Sequence, residues 1–186
     1  MSDDAYSAID RYVRLWRTFG PEAKAKGLRK LPEELLEDAC GLNVIELLGL
    51  GFAYYGAARI WEPNSSPWTS VEYASAVSRT KMDSFLKVAS STLEEYETAV
   101  AGRHRTFDLQ PFEMTPILRD GDRLLVLDID YLLRRVLSGL FWLVHDHEKA
   151  NHKEEDRKRW TVVHGEMVEL MIEDQLRHVA PKPYGH

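Results

Sequence analysis

Cysteine is almost missing from this chain: Cys40 is the single one among 186 residues. That excludes an internal disulfide and any zinc site built from several thiolates. Positive charge is in the minority too, with 24 Lys and Arg against 30 Asp and Glu, a formal net charge of −6. No global basic field exists to draw in nucleic acid, so only a local patch could do so. A long uninterrupted apolar run is also lacking. The nearest approach, VIELLGLGFAYYGAARIW at residues 44–61, sits near the lower length limit for a bilayer span and carries Glu46 and Arg59. A buried helix of a soluble core is the expectation, with no membrane partner. The opening residues, MSDDAYSAIDRY, are acidic and amphipathic where a secretory signal would be basic and then apolar, so a cytoplasmic location is expected. G-x-S-x-G, Walker A and G-x-G-x-x-G motifs are all absent.

What is present is mostly helical pattern. Apolar residues make up 44% of the chain, enough to bury a core without disulfides or metals. Ile9, Tyr12, Val13, Trp16 and Phe19 recur at three and four spacing and predict a helix over residues 4–19, stopped by Gly20-Pro21. Pro32 with Glu33 and Glu34 opens a helix that ends at Gly41, and Asn43 caps the apolar helix after it. Thr69 or Ser70 reads as the start of another helix, residues 82–89 as a further one, and Ser91 or Thr92 before Glu94-Glu95 as the opening of a third. Residues 103–114 look irregular. The one convincing β signal follows: short apolar runs at 115–119 and 123–128, joined by Asp120-Gly121-Asp122, form a hairpin because glycine accepts the positive φ of a tight turn. Ile129, Leu132, Leu133, Val136, Leu137, Leu140, Phe141 and Val144 then lie on one face of a single helix, with Arg134, Arg135 and Ser138 opposite. The run HDHEKANHKEEDRKR at 145–159 reads as a solvated linker or helix edge, and a last amphipathic helix covers 160–179. The fold class is mainly α (α+β), a helical domain with one β-hairpin at about residues 115–128. Its expected parts are a basic amphipathic helix and loop at 1–30, the helical domain at 31–179 and a tail or linker at 180–186.

The hairpin leads into VLDIDYLL, where Asp128 and Asp130 are placed like the nucleophile and acid of a phosphoaspartyl enzyme. That chemistry needs a lysine, a hydroxyl and a magnesium-binding acid delivered by a parallel sheet. Only 56 residues follow Asp130 in the sequence, and they read as helices and charged linker, so a helix N-cap explains the same letters better. His145, His147 and His152 lie close together beside Asp146 and Glu148 and are candidate metal ligands, although HEKANH lacks HExxH spacing. His164 and Glu166 resemble half of a deaminase site without its Cys-x-x-Cys partner. Cys40 lies on an apolar helix with no histidine near it in sequence. One stretch is strongly cationic: Arg11, Arg14, Arg17, Lys24, Lys26, Arg29 and Lys30 stand against the single acid Glu22, with Trp16 and Phe19 interleaved. Those seven residues are the candidate contact for nucleic acid or an acidic partner.

Pro116-Ile117-Leu118-Arg119, then Asp120-Gly121, then Leu132-Leu133-x-Arg135-Val136-x-x-Gly139-Leu140 carry a resemblance, with LNVIELLGLGF upstream and HGEMVELMIEDQL downstream. Over residues 35–179 the chain resembles the amino-terminal helical region of uncharacterised bacterial multidomain proteins that are PD-(D/E)xK nuclease-like. The resemblance implies a helical module ahead of a nuclease-like domain, here as a truncated product or one subunit of a split system, with that domain or subunit as partner. The expected function is a non-catalytic interaction or regulatory module, not an enzyme on its own and without a cofactor. The alternative is a metal-dependent enzyme using the hairpin Asp residues and the histidine cluster at 145–152.

Overall fold

The first helix runs through the signal that should end it. The computed structural model describes residues 3–24, 27–60, 66–74, 76–101, 109–152 and 154–179. In it α1 (Asp3–Arg14) passes into a π-helical turn, Leu15–Phe19, and continues as α2 (Gly20–Lys24). The Gly20 N–H donates to the Leu15 carbonyl, five residues back. That wider turn leaves room for the ring of Pro21, which would clash with a carbonyl in an ordinary α-helix and has no N–H to offer. The described residues are mainly helical, with a small four-stranded sheet. They gather into two compact units, one formed by residues 1–39 with 141–186 and the other by residues 40–140. The expected tail at 180–186 lies outside the described residues.

The first unit holds α1, the π turn, α2, α3 (Pro32–Cys40) up to Ala39, and most of α9 (Leu140–Asn151), followed by α10 (Glu154–Val179). Its core gathers Leu15, Trp16 and Phe19 from the π turn, Leu35 and Leu36 from α3, and Trp160, Val163 and Met167 from α10, all buried. Trp16 packs on Trp160 with ring centroids 5.6 Å apart, and the Trp160 indole N–H donates to the Phe141 carbonyl at 3.2 Å. An indole is buried readily only when that N–H finds an acceptor.

The second unit is built on α4 (Val44–Arg59), whose start is fixed by a reciprocal capping box between Asn43 and Glu46. After it come β1 (Thr69–Ser70), a 3₁₀ turn (Val71–Ala74), α5 (Arg79–Ala89), β2 (Ser90–Ser91), α6 (Leu93–Ala101), α7 (Gln110–Met114), β3 (Ile117–Asp120), β4 (Arg123–Val126) and α8 (Ile129–Val136). The hairpin pairs Ile117 with Val126 and Asp120 with Arg123, and Gly121 takes φ +60 at its first loop position. Thr69 and Ser70 open only the short 3₁₀ turn, with Ser70 Oγ accepting from the Glu72 N–H at 3.1 Å, and not a longer helix. They pair with Leu124 and Arg123 to add β1 to the hairpin edge, while β2 adds in parallel beside β3, giving the order β1-β4-β3-β2. Residues 110–114 are helical, with Pro111 in the first turn where its missing N–H does no harm.

The single helix expected from 129 onward is broken. At residues 137–139 the Gly139 N–H donates to the Arg134 carbonyl at 2.8 Å, and a Cβ at 139 would lie 2.4 Å from the Arg135 carbonyl oxygen. Arg135, expected on a polar face, is buried, and its Nε donates to the Val88 carbonyl at 2.8 Å. That carbonyl is in the last turn of α5, where backbone acceptors lack helical partners and a cation is favoured. Tyr54 stacks on Phe85 at 5.8 Å, donates to the Val71 carbonyl, and has its phenol pushed up to about 12 by burial. Among the described residues no helix is long and apolar enough to cross a membrane.

Two glycines of α4 lie two residues apart and face opposite situations. A Cβ on Gly51 would meet Val136 Cγ1 at 2.5 Å, whereas one on Gly49 would meet nothing within 4 Å. Gly51→Ala is therefore expected to lower stability by about 1–3 kcal/mol, and Gly49→Ala to raise it by about 0.4–1 kcal/mol. Urea unfolding of the two variants checks the opposite signs.

Candidate functional site

Of the two readings of the charged run at 145–159, a solvated linker or a helix edge, the structure shows the second. Residues 145–151 complete α9, and residues 154–159 begin α10. Glu148, on the last turn of α9, is 2% exposed. A carboxylate this deep needs a cation. Arg29, on the turn before α3, supplies it, with Nη2 2.8 Å from Glu148 Oε1 and 2.8 Å from His152 Nε2. The backbone N–H of His152 donates to the Glu148 carbonyl at 3.0 Å, which carries the helical hydrogen-bond pattern one residue past the end of α9. His147 lies alongside, its ring 6.0 Å from that of His152, and Asn151 Nδ2 donates to the His147 carbonyl at 3.0 Å. One donor atom each from His147, Glu148 and His152 lie within 4.8 Å of one another.

Of the three histidines singled out in the sequence, the structure thus brings His147 and His152 together and adds Glu148. His145 goes elsewhere. Its ring meets the rings of Phe141 and Trp142, Nδ1 contacts Asp146 at 3.1 Å and Nε2 lies 3.3 Å from Arg157. Glu148 escaped sequence reasoning because its neighbours in the chain are charged, and its burial depends on an arginine 119 positions away.

The cationic segment is largely answered from within its own unit. Arg14 pairs with Asp174 at 2.6 Å, Arg17 with Glu33 at 3.0 Å, Arg29 with Glu148, and Lys30 with both carboxylate oxygens of Asp38 at 2.9 and 2.7 Å. The Lys30 hydrogen bond holds the Asp38 carboxyl below the usual carboxylate range. Apart from Arg29–Glu148, these surface pairs add little stability, but all of them cancel part of the field that would attract a polyanion. Arg11 is exposed, Lys24 closes α2, and Lys26 lies outside the described residues.

In the second unit, Asp128 accepts from the backbone N–H groups of Asp130 and Tyr131 at 2.8 and 3.0 Å and caps α8. Asp120 pairs with Arg123, and Asp122 lies 3.7 Å from Arg79. Cys40 is buried, with Sγ near the Leu42 carbonyl. The same unit opens an apolar groove of about 460 Å³ between α6, α7 and the hairpin. Leu93, Tyr96 and Val100 line it from α6, Phe112 from α7, Leu118 from β3, and Leu127 from the residue after β4. Tyr96 stacks on Phe112 at 5.1 Å and donates its phenolic proton to the Thr115 carbonyl, fixing the groove floor. Leu93 is 62%, Val100 44% and Leu127 39% exposed. The spacing of 93, 96 and 100 signals an apolar helix stripe, but a sequence cannot say whether such a stripe is covered.

No protein-family model matches the chain, and neither a curated protein nor a solved structure is significantly similar to it.

His164, on α10, is enclosed by aromatic rings, 4.6 Å from Phe141 and 5.5 Å from Trp160, and burial pulls its pKa down to about 4. The fold therefore holds the neutral imidazole, and the unfolded chain takes up the proton first. The His164 contribution is complete above about pH 6.5, is lost as the pH falls from there to about 4, and amounts to on the order of 2–3 kcal/mol. His164→Phe is expected to flatten this part of the stability profile, as read from urea midpoints across that range.

Proposed function

We propose that the chain is a non-catalytic interaction module whose docking surface is the apolar groove of residues 40–140. The observation that carries this reading is the groove itself: large aliphatic side chains remain exposed around a floor pinned by the Tyr96–Phe112 stack. Exposed apolar surface gathered into one concave patch marks a binding site far better than scattered single residues do. One acid, Glu97, lies in its wall, and the two helices that line it carry further exposed acids, Glu94, Glu95 and Glu113. The partner this suits is an apolar segment flanked by Lys or Arg, such as one face of a basic amphipathic helix.

The likeness to the helical region that precedes a PD-(D/E)xK nuclease-like domain supplies the expected bearer of that segment, either the nuclease-like domain or a separate subunit. The groove is favoured over the cationic segment because Arg14, Arg17, Arg29 and Lys30 already have carboxylate partners. The catalytic reading of the hairpin is weakened by the backbone bonds of the Asp128 carboxylate, which cap α8.

A fluorescently labelled amphipathic helical peptide of leucine and lysine is a direct probe. It is expected to bind the purified chain saturably, and Val100→Glu with Leu93→Glu is expected to weaken binding by about 2 kcal/mol or more, the cost of losing a central contact. Anisotropy titration reads both. Equal binding by the native and doubly substituted proteins, both folded by circular dichroism, would remove the groove from the account.

A further inference from the structure

The cluster at the end of α9 has a composition that an ion pair alone does not need. A buried glutamate asks for one cation, which Arg29 provides. The two imidazoles that converge on the same point are not required for that purpose. Two histidines and one carboxylate are the donor set of zinc-type sites, and imidazole selects transition metals over magnesium or calcium. We propose that His147, Glu148 and His152 form a binding site for a divalent transition metal of the zinc class, held closed by the guanidinium of Arg29.

The geometry fits both halves of that statement. A zinc ion with ligands at about 2.0–2.2 Å needs its donors about 3.3–3.5 Å apart. His152 Nε2 and Glu148 Oε1 are 3.8 Å apart, and the full set lies within 4.8 Å. Side-chain rotations close the gap between Glu148 and His152 without moving the helix, because they are four residues apart, and His147 approaches from the adjacent face, its ring 6.0 Å from that of His152. Arg29 Nη2, 2.8 Å from both Glu148 Oε1 and His152 Nε2, marks where positive charge is held. An incoming ion takes that place, and the arginine has somewhere to go. Its other terminal nitrogen is already 3.8 Å from Asp38 Oδ2, and its side chain is one-third exposed. Metal binding thus exchanges one cation for another on the buried carboxylate and releases Arg29 toward Asp38.

A purely structural ion pair and a closed metal site respond oppositely to loss of the arginine. The test is cobalt(II) titration of the untagged chain, read by the visible absorption of cobalt bound to nitrogen and oxygen donors. Arg29→Gln removes the charge and leaves a shorter, polar side chain. It is expected to tighten cobalt binding about tenfold or more, because the closed state no longer competes with the ion, and zinc is expected to raise the melting temperature of this variant more than that of the native chain. His147→Ala and His152→Ala, each combined with Arg29→Gln, are expected to abolish the spectrum. Folded Arg29→Gln protein that gives no cobalt spectrum overturns the proposal. So does a spectrum that survives both histidine substitutions, which would mean adventitious binding elsewhere on the chain. If Arg29→Gln is too unstable to purify, zinc-dependent melting of the native chain against His147→Ala and His152→Ala carries the same two outcomes: a rise lost with either histidine supports the site, and no rise, or one that survives both, overturns it.

Discussion

A carboxylate at 2% exposure is the constraint on which the first unit turns. Glu148 cannot be buried as an anion unless positive charge comes to it, and in this unit that charge arrives from the turn ahead of α3. The pairing ties the end of α9 to the turn before α3, and the same guanidinium reaches the His152 ring. The neighbouring pairs repeat the theme at the surface, with Lys30 on Asp38, Arg17 on Glu33 and Arg14 on Asp174. A stretch that looks like a polycationic arm is, for the most part, one side of an internal charge lattice.

The second unit is held by shape instead of charge. Gly51 lets Val136 approach α4 closely, Tyr54 lies flat on Phe85, and Gly139 permits the tight turn that ends α8. Three of the unit's charged groups act at helix ends: Glu46 in a capping box, Asp128 at an N-terminus, Arg135 on the last turn of α5. Against that background the uncovered aliphatic side chains around Tyr96 and Phe112 stand out, because nothing in the packing of the unit needs them to be exposed.

What could be read from the sequence was local. The Asp-Gly turn, the Asn43 and Thr92 caps and the Asp128 cap each depend on residues a few positions apart, and each is found in the structure. Features set by distant partners were not legible. Gly20-Pro21 ends a helix by every local rule, yet a π turn packed through Trp16 carries the helix past it. Ser90 and Thr69 become strands only because the hairpin offers them edges. Arg135, on the polar face of its helix pattern, and Glu148, among charged neighbours, are buried with a carbonyl and an arginine 47 and 119 residues away. For the candidate site, two of its histidines were visible in the sequence, while its central carboxylate and the closing arginine were not.

The most direct measurement of the central claim is a double-mutant cycle on Arg29 and Glu148, using Arg29→Met, Glu148→Gln and the pair in urea unfolding at neutral pH. If the buried carboxylate depends on the guanidinium, Arg29→Met alone strands the charge and costs about 3 kcal/mol or more, whereas the double variant is markedly more stable than the sum of the two single losses implies. Additive losses would contradict the account, because they would mean that Glu148 is buried for reasons unconnected with Arg29.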